Sequence, residues 1–241
     1  MFSYKNKLNS QSGEASTLLI VGFVLFLCVC AAWGIGWRPP MTLETRWPEG
    51  ELVPIEPVQL STQKKPWYHE KIKIIPLASF SLTARMLLNV SYGSTGLQTD
   101  ISPRDLVVGW RSMSDTKYIK QIVFSHSDRL VWVNSKNRSY LSQIGPNFSH
   151  IHAIPANEEI ASTIAAFDTD DLIYLDGYLV SVEMEGFAPW TSSLTRFDNG
   201  CEIMWINQAN LLVPKPSAFK YFLNPSSIAN PRFIENGLFK F

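Results

Sequence analysis

FSLTARMLLNVSY, residues 80–92, decides the fold class. Phe80, Leu82, Ala84, Met86, Leu88, Val90 and Tyr92 alternate with Ser81, Thr83, Arg85, Asn89 and Ser91, and Leu87 is the one exception. A period of two is that of an extended strand with one face on a core and the other toward water. Lys71-Ile72-Lys73-Ile74 just before it predicts a shorter strand of the same kind.

Working outward, the C-terminal side supplies more strands than helices. Residues 121–126 and 129–134 predict a hairpin with Ser127-Asp128 near its turn. Ser149–Pro155 predicts a short strand. LIYLDGYLVSV (172–182) and CEIMWI (201–206) are apolar on both faces, as central strands are. Gly177 inside the first marks a bulge or a sharp bend. Two helices are expected, with a further turn at Asp115–Gln121. One opens at Ser102-Pro103 and runs through Trp110, with proline in the first turn. The other follows Asn157 as N-cap, with Glu158 and Glu159 in its first turn and a stripe of Ile160, Ile164 and Phe167. The fold class that follows is α+β, with short helices on a curved antiparallel sheet or partial barrel.

Before the strands, LLIVGFVLFLCVCAAWGIGW (18–37) carries no charged side chain. A helix of this length spans about 30 Å, the hydrocarbon thickness of a bilayer. Trp33 and Trp37 sit where indoles favour the headgroup layer. The expectation is a retained single-pass anchor rather than a cleaved signal, since the apolar run continues past the length of a signal's core until Arg38-Pro39-Pro40. Basic residues tie across it, Lys5 and Lys7 against Arg38 and Arg46. A leader of residues 1–17 is too short to fold, so the bulk is expected on the exported side. Residues 38–66, with Pro39, Pro40, Pro48, Pro54, Pro57 and Pro66 among acids, predict an extended stalk. The exported domain is expected at 67–207, and 208–241 as an aromatic, proline-containing tail.

The chain has 21 basic and 21 acidic residues and no basic footprint for a nucleic-acid partner. The expected partners are the lipid bilayer and another envelope protein, and no cofactor is called for. Two of three cysteines lie in the apolar segment, so Cys201 has no disulfide partner in the domain and is expected to be a buried, inert thiol.

Two clusters carry candidate chemistry. His150 and His152 would point to one side of a strand and reach one ion. They need a third ligand from His126, Asp168, Asp170, Asp171 or Glu202, and no spacing demands that these converge. Cys201 lies some fifty residues away. The expectation is no metal, with His150 and His152 the weak alternative. The second cluster, WTSSLTRFDNGCE (190–202), holds Ser192, Ser193, Arg196 and Asp198 beside the distant His152. It has no G-x-S-x-G elbow or S-x-x-K motif. Pairing of Arg196 with Asp198 and turn-forming hydroxyls is the simpler reading.

SPRDLVVGWRSMSD (102–115), HAIPAN (152–157), LDGYLVSV (175–182) and SSLTRFDNGCEIMWI (192–206) together resemble an uncharacterised family of bacterial single-pass inner-membrane proteins. The likeness covers about residues 70–207 and implies an inner-membrane address with a periplasmic domain. It implies no activity. His152 and residues 192–198 match its pattern without an assigned role. From these readings the expected function is a membrane-tethered envelope protein that binds or assembles with a partner. The alternative is a metal-dependent or serine hydrolase at the membrane surface.

Overall fold

The computed structural model describes residues 18, 20–26, 28, 38–93, 96–135, 137–195, 201–216, 232–233 and 239–240. It divides into two compact units, residues 1–41 with 124–132, and residues 42–123 with 133–241.

In the first unit, residues 18, 20–26 and 28 are helical. Among the described residues no helix is long and apolar enough to cross a membrane. The rest of the expected anchor, including Trp33 and Trp37, lies outside them, as does the leader 1–17. The unit also holds β1 (Arg38–Met41), which pairs antiparallel with β6 (Ile122–Ser127); β7 (Leu130–Ser135) completes a three-stranded sheet. The β6–β7 hairpin was legible in the sequence. Its turn residues Asp128 and Arg129 both have positive φ, 48° and 60°, the backbone twist that two-residue hairpin loops prefer.

The second unit is a strand-rich α+β domain. Its principal strands are β2 (Val58–Ser61), β3 (Trp67–His69), β4 (Ile72–Ser91), β5 (Arg104–Gly109), β8 (Phe148–Pro155), β9 (Leu172–Glu183), β10 (Trp190–Thr191) and β11 (Glu202–Val213). β4 is long enough to serve two neighbours. Its first part, Lys73 to Arg85, pairs with β9, and its last, Arg85 to Ser91, pairs with β5. β5 pairs with β8, β8 with β11 and β11 with β9, so the pairings return to β4 in a circuit of five strands.

The sheet is mixed rather than purely antiparallel, because β8 and β11 run parallel. Helix α1 (Leu97–Ile101) precedes β5, and helix α2 (Glu158–Ala166) follows β8, its Asn157 cap accepting the Ile160 N–H at 2.9 Å.

Alternation places the cores. Phe80, Leu82, Ala84 and Met86 of β4 join Leu106, Val108, Ile151, Ala153, Leu175, Met204 and Ile206 in one cluster. The opposite parity, Ile154, Val180, Val182, Ile203 and Trp205, forms a second on the other face, joined by Ile74 from beyond the register shift between Pro76 and Ala78 of β4.

Three expectations are corrected. Residues 102–110 are not a helix: Arg104–Gly109 is strand β5, paired with β4 and β8, and the burial of Leu106, Val107 and Val108 shows that both of its faces are covered. The 38–66 segment is not a free stalk, since Trp47, Leu52 and Val53 enter the first core and β2 pairs with β4. The fold therefore begins well before Trp67. Finally, β11 runs on to Val213, so the start of the expected tail belongs to the sheet. The aromatic residues Phe219, Tyr221 and Phe222 lie outside the described residues.

Gly177 sits where the strands come closest. A Cβ there would meet the Trp205 carbonyl oxygen at 1.9 Å, and the β9–β11 register shifts beside it. Close backbone approach, not turn geometry, is why the strand carries glycine at this position.

Candidate functional site

The parallel β8–β11 register sets Glu202 opposite Ile151 and Ile203 opposite His152. Cys201, one residue before β11, is thereby carried to His150. On the other side of β8, Asp105 of β5 stands opposite His152. Residues two apart share a face, so Asp105, His150, His152 and Cys201 gather on one surface of three adjacent strands.

Their side chains engage one another. The Cys201 Sγ lies 3.2 Å from His150 Nδ1. His150 Nε2 is 3.3 Å from Asp105 Oδ2, and His152 Nδ1 is 2.7 Å from Asp105 Oδ1. Tyr92 donates its hydroxyl to Asp105 Oδ2 at 2.7 Å. The two imidazole rings are 4.8 Å apart, and the Trp190 ring lies 5.0 Å from His152. Asp105 is fully buried, both histidines are buried and Cys201 is half-buried. A carboxylate at this depth is tolerable only when charged or hydrogen-bonding partners surround it. Desolvation, then the nearby carboxylates of Glu202 and Asp105, pushes the Cys201 thiol up to about 11. A bare thiolate is disfavoured there. One ligand atom from each of His150, His152 and Cys201 lies within 4.8 Å of the others.

Of the third ligands that the sequence offered, Asp170 is committed to Arg85. Asp171 accepts the Lys215 and Asp168 N–H groups at 2.7 and 2.8 Å, and Glu202 accepts the Ser149 hydroxyl at 2.6 Å. His126 belongs to the first unit, where it is buried. In sequence Cys201 is remote from the histidines, and a parallel strand pair removes that distance. Asp105 is hidden from the sequence by the expectation of a helix over 102–110, where the structure has strand β5. The one available signal was a single acid preceding the apolar Leu106-Val107-Val108.

The serine cluster is organised around backbone. Ser192 Oγ accepts the Ile203 N–H at 3.0 Å and donates to the Ser193 carbonyl at 2.8 Å; Ser193 Oγ donates to the Thr195 carbonyl at 2.7 Å. These are turn-stabilising bonds, as expected of hydroxyls at a strand junction. Arg196 and Asp198 lie outside the described residues.

A second buried polar centre was also missed. Arg85, on the face read as polar, is fully buried. Its Nε donates to Asp170 Oδ1 at 2.7 Å, and its Nη1 to the Ser114 carbonyl at 2.8 Å and Thr116 Oγ1 at 3.1 Å. Nη2 contacts Asp170 Oδ1 and Thr45 Oγ1. Trp47 donates its indole N–H to the Asp170 carbonyl at 2.8 Å. This network ties the segment before β2 to the loop before β9 and is structural in character.

A groove of about 330 Å³ lies beside α2, lined in part by Ser91, Pro103, Arg104, Ala153 and Pro155. Its guanidinium is already bonded to Asn89 Oδ1 at 3.0 Å. No protein-family model, no curated protein and no solved structure matches the chain.

Proposed function

We propose that the chain is a membrane-tethered binding module of the bacterial inner membrane, belonging with the single-pass proteins that residues 102–115 and 192–206 resemble. The observation that carries this reading is the N-terminal helix. Its Leu18, Ile20, Val21, Phe23, Val24, Leu25 and Phe26 side chains are each at least half exposed. A continuous apolar surface of this kind calls for lipid or protein to cover it. The uncharged run continues in sequence to Trp37, long enough to span a bilayer.

The five-strand circuit is read as a partial barrel of the Greek-key type found in OB-folds. That likeness concerns connectivity and carries no ligand with it. The neutral chain speaks against a nucleic-acid partner. A protein partner fits better at β2, which pairs with β4 at one end of the sheet order and exposes Val58 and Leu60. An open strand edge accepts a partner strand through main-chain hydrogen bonds.

Fractionation of the full chain tests the tether. It should stay with membranes through alkaline carbonate washing, and alkaline phosphatase joined after residue 241 should be active. Release by carbonate, or an inactive fusion, overturns the reading. A hydrolase at the Ser192–Ser193 junction is the weaker alternative because both hydroxyls are bonded to backbone.

A further inference from the structure

We propose that His150, His152 and Cys201 bind one divalent transition ion of the zinc class, with buried Asp105 orienting both imidazoles toward it. His152 uses Nδ1 on Asp105 Oδ1 at 2.7 Å, which leaves Nε2 to act as a ligand. His150 turns Nε2 to Asp105 Oδ2 at 3.3 Å and Nδ1 to Cys201 Sγ at 3.2 Å. One carboxylate thus hydrogen-bonds His152 Nδ1 and lies against His150 Nε2, leaving His152 Nε2 and His150 Nδ1 for a metal, the kind of carboxylate backing that metal-binding histidines use. Tyr92, donating to the same carboxylate, holds it in place.

Distances agree with this. A tetrahedral shell with Zn–N near 2.0 Å and Zn–S near 2.3 Å separates ligand atoms by about 3.3–3.6 Å. One ring nitrogen of each histidine and the Cys201 sulfur already lie within 4.8 Å of one another, so an ion needs to draw three donors in by little more than an ångström. Two imidazoles and a thiolate are a borderline-soft set that selects zinc over magnesium or calcium. Three protein ligands leave a fourth position for water.

Charge agrees as well. Asp105 and a Cys201 thiolate contribute two negative charges, which a dication neutralises. The Asp105 and Glu202 carboxylates near Cys201 set a negative field that favours a bound cation. Binding must expel the thiol proton, so affinity rises with pH. The same three groups also have the order of a Cys–His–Asp nucleophilic triad. The Asp105 and Glu202 carboxylates near the sulfur disfavour a free thiolate, and with it that use.

The test uses the full chain in detergent, purified without a histidine tag, exposed to zinc and then dialysed. Elemental analysis should find about one zinc per chain, and cobalt in its place should give a thiolate charge-transfer band. Cys201→Ser should abolish that band and lower retained zinc to below about a fifth of an equivalent. Asp105→Asn should weaken zinc affinity by about 10–100-fold, as removal of an orienting carboxylate does. If His152→Ala does not fold, Cys201→Ser decides, because Cys201 is only half-buried. Absence of bound zinc and of the cobalt band, or zinc retained equally by Cys201→Ser, overturns the proposal.

Discussion

Replacing Arg85 with methionine keeps most of the side-chain volume and removes every donor of the guanidinium. The Asp170 carboxylate, 5% exposed, would then be left without its cation. The Ser114 carbonyl, which takes Nη1 at 2.8 Å, would lose its bond from Arg85. Removing one partner of a buried ion pair costs about 3–5 kcal/mol. An unsatisfied buried acceptor adds about 1–3 kcal/mol, while the thioether stem returns part through packing. A net loss of about 4 kcal/mol follows. For a fold of this size that is a fall in Tm of about 8–16 °C.

The double variant Arg85→Met, Asp170→Asn should recover at least about 2 kcal/mol, since replacing both ions together avoids a stranded charge. Asparagine also tolerates the positive φ of 84° at position 170. Desolvation already pushes the Arg85 guanidinium below its ordinary value despite Asp170, so burial outweighs the attraction it recovers. Thermal melts followed by tryptophan fluorescence measure Arg85→Met, Asp170→Asn and the double variant; Trp47, bonded to the Asp170 backbone, reports directly on the region. A single-variant loss under about 1 kcal/mol, or a double variant equal to the sum of the singles, refutes the reasoning.

Two further outcomes are expected. Gly177→Ala should destabilise the domain by more than about 2 kcal/mol or prevent folding, because the added methyl meets rigid backbone at the Trp205 carbonyl; a melt within a degree or two of the parent refutes this. In metal-free protein the Cys201 thiol has a folded pKa of about 11 against an ordinary value of 9.0, so its contribution to stability is complete below pH 9 and is lost as pH rises through 11. Alkylation of Cys201 by iodoacetamide should therefore be slow at pH 7.5 and climb through pH 10–11, and rapid labelling at neutral pH would show the thiolate to be stabilised.

The strands were legible wherever alternation or a two-faced apolar run was unbroken, as in β4, β9 and β11. Arg85 misled because a guanidinium on the apparently polar face of β4 is covered by a segment that proline content assigned to solvent. Trp47, Leu52 and Val53 were the available sign that this segment packs, and their spacing has no period to detect. Residues 104–109 failed for a related reason. A strand buried on both faces loses its alternation, and Pro103 suits a helix start as well as a strand entry. The histidine pair was visible from its spacing. Its thiol and its carboxylate were not, because they arrive from strands separated in sequence by some fifty residues and joined only by register.

The seating of β11 between β8 and β9, parallel to the first and antiparallel to the second, has a consequence for how the chain is made. Every other strand of the circuit is synthesised before it, so β8 and β9 must each wait with one ladder edge unfilled. Those edges belong to largely apolar strands, the kind most prone to pair with the wrong chain. A nascent polypeptide stopped short of residue 202 would hold an open sheet with two adhesive borders. Closure is therefore a late, long-range event of the kind that folds slowly, and shielding those borders until the last strand arrives would favour native protein over mispaired chains.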